Sequence, residues 1–220
     1  YKGKNPLILA IPRGAVPMAK RIAEALGGEF DVVLVRKLGA PGNPEFAIGA
    51  IDETGWAYLG PYAAMAGADF GYIERIKAQE LATIRKRRAQ YSPLHPPIDP
   101  QGRIVIVIDD GLATGSTMLA ALHALRSRAP QKLVCAVPVA PPDTLEKVGE
   151  KSDEVVCLHA PENFQAVGQF YADFGQVEDE EVIALLSERK KPCDCCHCSA
   201  PSRSPAAASP KPPALPPQPA

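Results

Sequence analysis

The chain has 220 residues, of which 46% are hydrophobic and 22% charged, so it can bury the core of one large globular domain. Its formal net charge of −1 argues against a general nucleic-acid or membrane-surface binder, which needs a basic excess. No apolar run approaches the roughly 20 residues of a membrane-spanning helix, and no signal peptide opens the sequence. We therefore expect a cytoplasmic protein. Because a strand follows Tyr1 almost at once, we also expect the natural N-terminus to be missing.

The first elements alternate between strand and helix patterns. Residues 7–11 are a short apolar run, typical of a strand that is buried on both faces. A helix is expected from about Pro17 to Leu26, where two glycines end it, and a second buried strand is expected at 31–35. Strand, helix and strand form a unit that implies parallel pairing.

The next stretch is less regular. Residues 36–45 contain two glycines and two prolines, which predicts a loop that is long for its position. Residues 46–51 and 56–59 are then consistent with a hairpin. Residues 72–91 have the charged, amphipathic pattern of a helix, and the Pro-rich residues 92–102 are expected to link it back to the sheet.

The second half returns to alternating strands and helices. The predicted strands are 105–108, 132–139 and 153–158, and the predicted helices run from the end of the motif below to about 128, over 143–150 and over 178–188. Residues 160–177 mix aromatic residues with Pro, Asn and Gly, which indicates an irregular cap. From residue 200 the chain consists mainly of Pro, Ala and Ser and is expected to be disordered.

Residues 105–117, Val-Ile-Val-Ile-Asp-Asp-Gly-Leu-Ala-Thr-Gly-Ser-Thr, carry the clearest chemical signal. A buried strand ends in Asp109 and Asp110, where carboxylates can accept hydrogen bonds from ribose hydroxyls. The small-residue loop that follows offers backbone N–H groups and hydroxyls to a phosphate at the start of a helix. This order of properties predicts a binding site for a phosphorylated sugar.

The motif resembles the phosphoribosyl-pyrophosphate motif of type I phosphoribosyltransferases. A nucleoside-triphosphate P-loop would need Lys before the final Ser or Thr, and this motif has none. Segments 11–17, 35–45 and 170–174 extend the resemblance, over roughly residues 5–190, to a bacterial subgroup described only as predicted phosphoribosyltransferases. The resemblance implies an α/β fold, a three-layer α/β/α arrangement with a mostly parallel central sheet, plus a small hood.

The same resemblance implies the domain organisation. A phosphoribosyltransferase domain would cover residues 1–190, with the hood at about 160–190. Residues 191–220 would be a Cys-rich and then Pro/Ala-rich disordered tail, which departs from the family.

The family also implies roles for the residues of the motif. Asp109 and Asp110 would bind the 2′- and 3′-hydroxyls of ribose, directly or through Mg²⁺, as catalytic and metal-site residues. The residues that would cradle the 5′-phosphate are Ala113, Thr114, Gly115, Ser116 and Thr117.

Two other loops would bind pyrophosphate. Arg13 and Gly14 resemble the pyrophosphate-binding loop of the family, which is often held by a strained peptide bond. The segment that begins at Arg36 resembles the flexible catalytic lid, with Arg36 and Lys37 as candidate substrate-binding residues and Lys37 as a candidate contact to pyrophosphate. Of these residues, Arg13 and Lys37 are the candidates for a catalytic role.

The chemistry of the reaction agrees with these assignments. Displacement of pyrophosphate from C1 of ribose develops positive charge on the sugar and negative charge on the leaving group, so cations are needed: Mg²⁺ and Arg13 or Lys37. A lid would exclude water from the activated sugar. We therefore expect an Mg²⁺-dependent pentosyltransferase that uses phosphoribosyl pyrophosphate and an unidentified nitrogenous, nucleobase-like acceptor. A homodimer is an expectation by analogy only.

The sequence leaves two alternative functions open. A regulatory module that binds phosphoribosyl pyrophosphate without turnover needs the same phosphate loop, and a phosphoesterase-like enzyme would use Asp109 as a nucleophile. The cysteines and the histidine of residues 193–198 are soft ligands for Zn²⁺, but structural sites usually split their ligands between two elements. We favour adventitious metal binding or a non-native reading frame for this run.

Overall fold

Two sheets organise the protein. The computed structural model describes residues 1–91 and 96–188. The strands are β1 (Leu7–Ala10), β2 (Glu29–Val32), β3 (Val35–Ala40), β4 (Asn43–Asp52), β5 (Ala57–Leu59), β6 (Ile104–Ile108), β7 (Lys132–Val139) and β8 (Glu154–His159). The α-helices are α1 (Ala15–Leu26), α2 (Phe70–Tyr91), α3 (Ser116–Arg126), α4 (Pro142–Gly149) and α5 (Asp179–Ser187), and a single 3₁₀ turn covers Val167–Phe170.

The central sheet has five parallel strands in the order β2-β1-β6-β7-β8. Alternate residues of its strands enter two apolar clusters, one on each face. Ile8 and Ile106 face the cluster that includes α1 and α5, whereas Leu9 and Val107 face the cluster that includes α3 and α4. Helices therefore cover both faces, and the predicted three-layer α/β/α arrangement with a parallel sheet is confirmed.

The second sheet is small and antiparallel, in the order β3-β4-β5. The predicted β4–β5 hairpin is confirmed, but the prediction of a loop over 36–45 is wrong, because most of these residues lie in β3 and β4. The pairing jumps from Gly39–Ala47 to Ala40–Asn43. Glycine and proline are tolerated at such irregularities of a ladder, so their presence did not exclude strands.

Most other boundaries agree with the sequence to within two or three residues. Among these, β2 is displaced: it ends at Val32 rather than Val35, because Val35 already belongs to β3. Residues 32–35 form one continuous apolar run, so no change of periodicity marks the passage from one sheet to the other. The expectations for 92–95 and for the tail from 189 fall outside the described residues.

The hood segment, residues 160–177, is irregular apart from its 3₁₀ turn, as predicted. Its aromatic rings contact each other: Phe164 stacks on Phe170 at 5.7 Å between centroids, and Tyr171 lies 5.0 Å from Phe174. Across the ranges 1–91 and 96–188, no helix is both long and apolar enough to span a bilayer.

Candidate functional site

Two adjacent carboxylates follow the carboxyl end of β6. The backbone N–H of Asp110 donates to Oδ1 of Asp109 at 3.0 Å. Burial raises the pKa of Asp109 well above its usual range, and the neighbouring charge of Asp110 raises it further. Burial also raises the pKa of Asp110. In the protein alone, the two carboxylates are therefore incompletely solvated. Hydroxyl donors or a cation would complete their solvation.

The loop after the acid pair leads directly into α3. Gly115 caps the helix with φ of 75°, a conformation that side chains rarely adopt. The hydroxyls of Thr114 and Ser116 lie 3.2 Å apart. Because the first N–H groups of a helix have no intrahelical acceptor, the N-terminus of α3 offers donors to an anion at this point.

The loop after β1 meets the acid pair. A Cβ atom on Gly14 would lie 1.9 Å from Oδ2 of Asp110, so only glycine permits this approach. The Pro12–Arg13 peptide bond is cis. β1 and β6 both belong to the central sheet. The two candidate loops follow these strands and therefore come together at one edge of the sheet.

Arg13 is neutralised by carboxylates of α5 and the residue before it. Its guanidinium donates to Oε2 of Glu178 at 3.1 Å and lies 3.8 Å from Oδ1 of Asp179. The hydroxyl of Tyr91 donates to the same Asp179 carboxylate, and burial together with that contact raises the pKa of Tyr91. Sequence reasoning did not find these acidic partners.

The other two predicted cations lie on β3. Nε of Arg36 donates to Oε2 of Glu80 on α2 at 2.5 Å, and the Glu80 side chain is only 13% exposed. Lys37 is exposed and stands opposite Ala50 in the β3–β4 ladder. The structure therefore places both residues on the antiparallel sheet, not in a loop.

Two further side chains contact the motif from outside. The hydroxyl of Tyr171, in the hood segment, donates to the backbone carbonyl of Asp110 at 2.5 Å. Burial and the charges of Asp110 and Asp109 raise the pKa of Tyr171, so it remains a donor. The buried hydroxyl of Thr144, on α4, donates to the carbonyl of Ala113 at 2.8 Å. No local sequence pattern indicated either contact.

The donor set of the acid pair fits Mg²⁺. This ion prefers carboxylate and phosphate oxygens and usually takes only one or two carboxylates from the protein, with water and substrate completing its shell. Asp109 and Asp110 supply two such carboxylates, and their deficit of solvation is one that a cation relieves. Among the described residues, no three His, Cys, Asp or Glu side chains surround a common metal position. The cysteines of 193–198 lie outside those residues.

A family model and a solved structure both match most of this chain. A family model described as "Phosphoribosyl transferase domain" matches residues 1–174, which include the acid pair and the small-residue loop. The crystal structure of TT1426 from Thermus thermophilus is 48% identical, with a TM-score of 0.69, and the match covers 83% of this chain and 86% of that one.

Two curated Mycobacterium tuberculosis proteins are also similar. They are named "Putative phosphoribosyl transferase MT0597" (strain CDC 1551 / Oshkosh) and "Putative phosphoribosyl transferase Rv0571c" (strain ATCC 25618 / H37Rv). Each is 39% identical to this chain over 185 residues, which is 84% of this chain. The match spans 42% of each relative, so this chain corresponds to less than half of their length.

Proposed function

Because this chain belongs to the phosphoribosyl transferase domain family, we propose that it transfers the phosphoribosyl group of phosphoribosyl pyrophosphate to a nitrogenous, nucleobase-like acceptor, with release of pyrophosphate. The observation that carries the proposal is the junction of three features at one sheet edge. These are the acid pair Asp109–Asp110, the N-terminus of α3, and the close approach of Gly14 to the Asp110 carboxylate.

On the sugar side, the carboxylates accept hydrogen bonds from the ribose hydroxyls, and the N-terminus of α3 binds the 5′-phosphate. As pyrophosphate leaves C1, the ring acquires positive charge, which the nearby carboxylates of Asp109 and Asp110 stabilise. Their raised pKa values mark them as groups that gain from such a partner.

On the leaving-group side, Arg13 and Lys37 balance the charge of pyrophosphate. Asp109 and Asp110 would hold Mg²⁺, which would supply further positive charge to balance the leaving group. The nucleophile is a ring nitrogen of the acceptor, so no covalent enzyme intermediate is needed. The aromatic hood segment lies beside Asp110 through Tyr171 and forms one wall for the acceptor.

Titration of the protein with phosphoribosyl pyrophosphate and Mg²⁺ by calorimetry tests this function. We expect saturable binding, and we expect Asp110→Asn to weaken it by roughly 1–3 kcal/mol through lost charge-assisted hydrogen bonds. Asp99→Asn is the matched control, because Asp99 is an exposed carboxylate that pairs with Arg128. Absence of heat from the unmodified protein, or equal binding by both variants, would overturn the proposal.

A binding module without turnover is the second candidate, and one observation favours it. Two of the cations expected to face pyrophosphate, Arg13 and Arg36, are paired with carboxylates. Pyrophosphate release measured across a panel of bases, amines and amides separates the two functions. Release with any acceptor identifies a transferase, whereas saturable binding without release across the panel identifies a sensor.

A further inference from the structure

A buried hydroxyl supports the phosphate loop from a helix outside the motif. Thr144, on α4, is only 2% exposed, and its hydroxyl donates to the backbone carbonyl of Ala113 at 2.8 Å. In the described part of the chain, the buried polar side chains are few, and they are those of Asp31, Asp52, Ser116 and Thr144. Two of these four residues, Ser116 and Thr144, belong to the phosphate loop or to the helix that supports it.

The methyl group of Thr144 also contacts the loop. A Cβ atom added to Gly115 would lie 2.8 Å from Cγ2 of Thr144 and 3.5 Å from Cγ2 of Val148. Thr144 and Val148 are four residues apart on α4 and so share a face of that helix. Gly115 packs against this face of α4, and the hydroxyl of Thr144 fixes the carbonyl of Ala113.

The hydroxyl contact also orients an N–H group. The carbonyl of Ala113 and the N–H of Thr114 belong to one planar peptide unit and point in opposite directions when it is trans. Because Thr144 holds the carbonyl toward α4, the Thr114 N–H points away from α4. That N–H is one of the donors expected to bind the 5′-phosphate.

The support is itself well anchored. The backbone N–H groups of Thr144 and Leu145 both donate to the carbonyl of Pro141 at 3.1 Å, which fixes the first turn of α4. The N–H of Leu112 donates to the carbonyl of Val139, at the end of β7, at 3.0 Å. The β7–α4 connection thus holds the loop at two successive residues.

We propose that Thr144 is a positioning residue for the phosphate loop, one that sets the Ala113–Thr114 peptide for the 5′-phosphate of the substrate. This inference rests on the proposed function, because it takes the phosphoribosyl group as the ligand. The 5′-phosphate does not react, so the contact stabilises the bound substrate and the transition state alike. Its loss should therefore raise KM and leave kcat nearly unchanged.

Three variants test the inference. Thr144→Val keeps the shape but removes the donor, and Thr144→Ser keeps the donor but removes the methyl group that faces Gly115. Thr83→Val is the matched control, since Thr83 is a hydroxyl on α2 that donates to its own helix at Gln79. The affinity of each variant for phosphoribosyl pyrophosphate is measured by calorimetry, with Tm as a check on folding, and KM and kcat are measured with an acceptor that supports pyrophosphate release in the panel described above.

We expect Thr144→Val to raise KM and Kd roughly two- to tenfold with kcat near that of the unmodified protein, as for one lost neutral hydrogen bond. Thr144→Ser and Thr83→Val should bind normally. The chemical shift of the Thr114 amide in ¹⁵N-labelled protein should move in Thr144→Val and not in Thr144→Ser. Equal KM and Kd for Thr144→Val and the unmodified protein would overturn the inference, as would Thr144→Ser being as impaired as Thr144→Val. Failure of the unmodified protein to bind would instead overturn the proposed function itself.

Discussion

The two sides of the proposed site, one for the sugar phosphate and one for pyrophosphate, are held in place by different forces. On the sugar-phosphate side, neutral hydrogen bonds from Thr144 and Tyr171 fix the backbone carbonyls of Ala113 and Asp110. On the pyrophosphate side, Arg13 is held by ion pairs with acidic residues that are largely or partly exposed. Buried neutral bonds specify geometry and respond little to salt, whereas exposed ion pairs are screened and readily exchange partners. Under the proposed function, the sugar side is thus formed in advance, whereas Arg13 on the pyrophosphate side can exchange its exposed partners for substrate.

The largest effect is expected where the two sides touch. In Gly14→Ala the new Cβ would lie 1.9 Å from Oδ2 of Asp110, so the carboxylate must move. Affinity for phosphoribosyl pyrophosphate should fall by about 2–3 kcal/mol, the loss of charge-assisted hydrogen bonds from one carboxylate. Calorimetry measures this loss. Gly60→Ala is the control, because its Cβ would meet its nearest neighbour at an ordinary 3.5 Å. Normal binding by Gly14→Ala would show that the two sides are independent.

A smaller effect, on the free energy of unfolding, is expected from the desolvated carboxylate of Asp109 on the sugar side. Burial raises the pKa of Asp109 above its unfolded value, so the native state binds this proton more tightly. The unliganded protein therefore gains stability as the pH falls from the folded pKa toward the unfolded one, and it bears the full penalty above the folded pKa. Asp109→Asn should remove this dependence while weakening ligand binding. At a pH above the folded pKa it should stabilise the protein by roughly 1.4 kcal/mol for each unit by which the pKa is raised.

Urea unfolding of both proteins across the acidic and neutral range measures the difference in stability. Only the difference between the two proteins is compared, because the other carboxylates titrate in both. A variant that is less stable than the unmodified protein at neutral pH would show that Asp109 is well solvated, and would remove the electrostatic contrast between the two sides.

The smallest effect is expected on the pyrophosphate side. Glu178→Gln breaks the contact with Arg13, in which the glutamate side chain is 62% exposed, so stability should change by less than about 1 kcal/mol. With a competing carboxylate removed, affinity for phosphoribosyl pyrophosphate should rise about two- to fivefold, within the range of one exposed ion pair. Calorimetry at low and high salt measures the rise, which should shrink as salt is added. Glu24→Gln, an exposed change on α1, is the control. Unchanged or weaker binding would indicate that Arg13 does not exchange partners.

The fold was predictable wherever a single hydrophobic pattern coincided with a single strand or helix. The limits of β7 were predicted as found, because prolines lie close to both ends of its apolar run, Pro130 before it and Pro141 after it. The antiparallel sheet was misread at 36–45, since the glycines and prolines that usually mark loops lie at irregular pairings between β3 and β4.

The site was predictable only where its parts are contiguous. Asp109 to Thr117 form one run, but the partners that hold this run and Arg13 come from far along the chain. Thr144 lies 31 residues from Ala113, Tyr171 lies 61 from Asp110, and Glu178 lies 165 from Arg13. Periodicity and spacing report local structure and contain no signal for such pairs. The roles assigned to the site residues, the bound Mg²⁺, the cytoplasmic location and a homodimer all stay predictions.

The contact of Tyr171 with Asp110 has a consequence for redesign. Tyr171 bonds to a main-chain carbonyl, an atom that every amino acid provides, and leaves the carboxylate of Asp110 uncommitted to the hood segment. Residues 160–177 can therefore be exchanged for those of a related protein, provided that one hydroxyl still reaches that carbonyl and that Glu178, which pairs with Arg13, is kept. Under the proposed function, chimeras of this kind would change the choice of acceptor and leave the sugar-binding half unaltered.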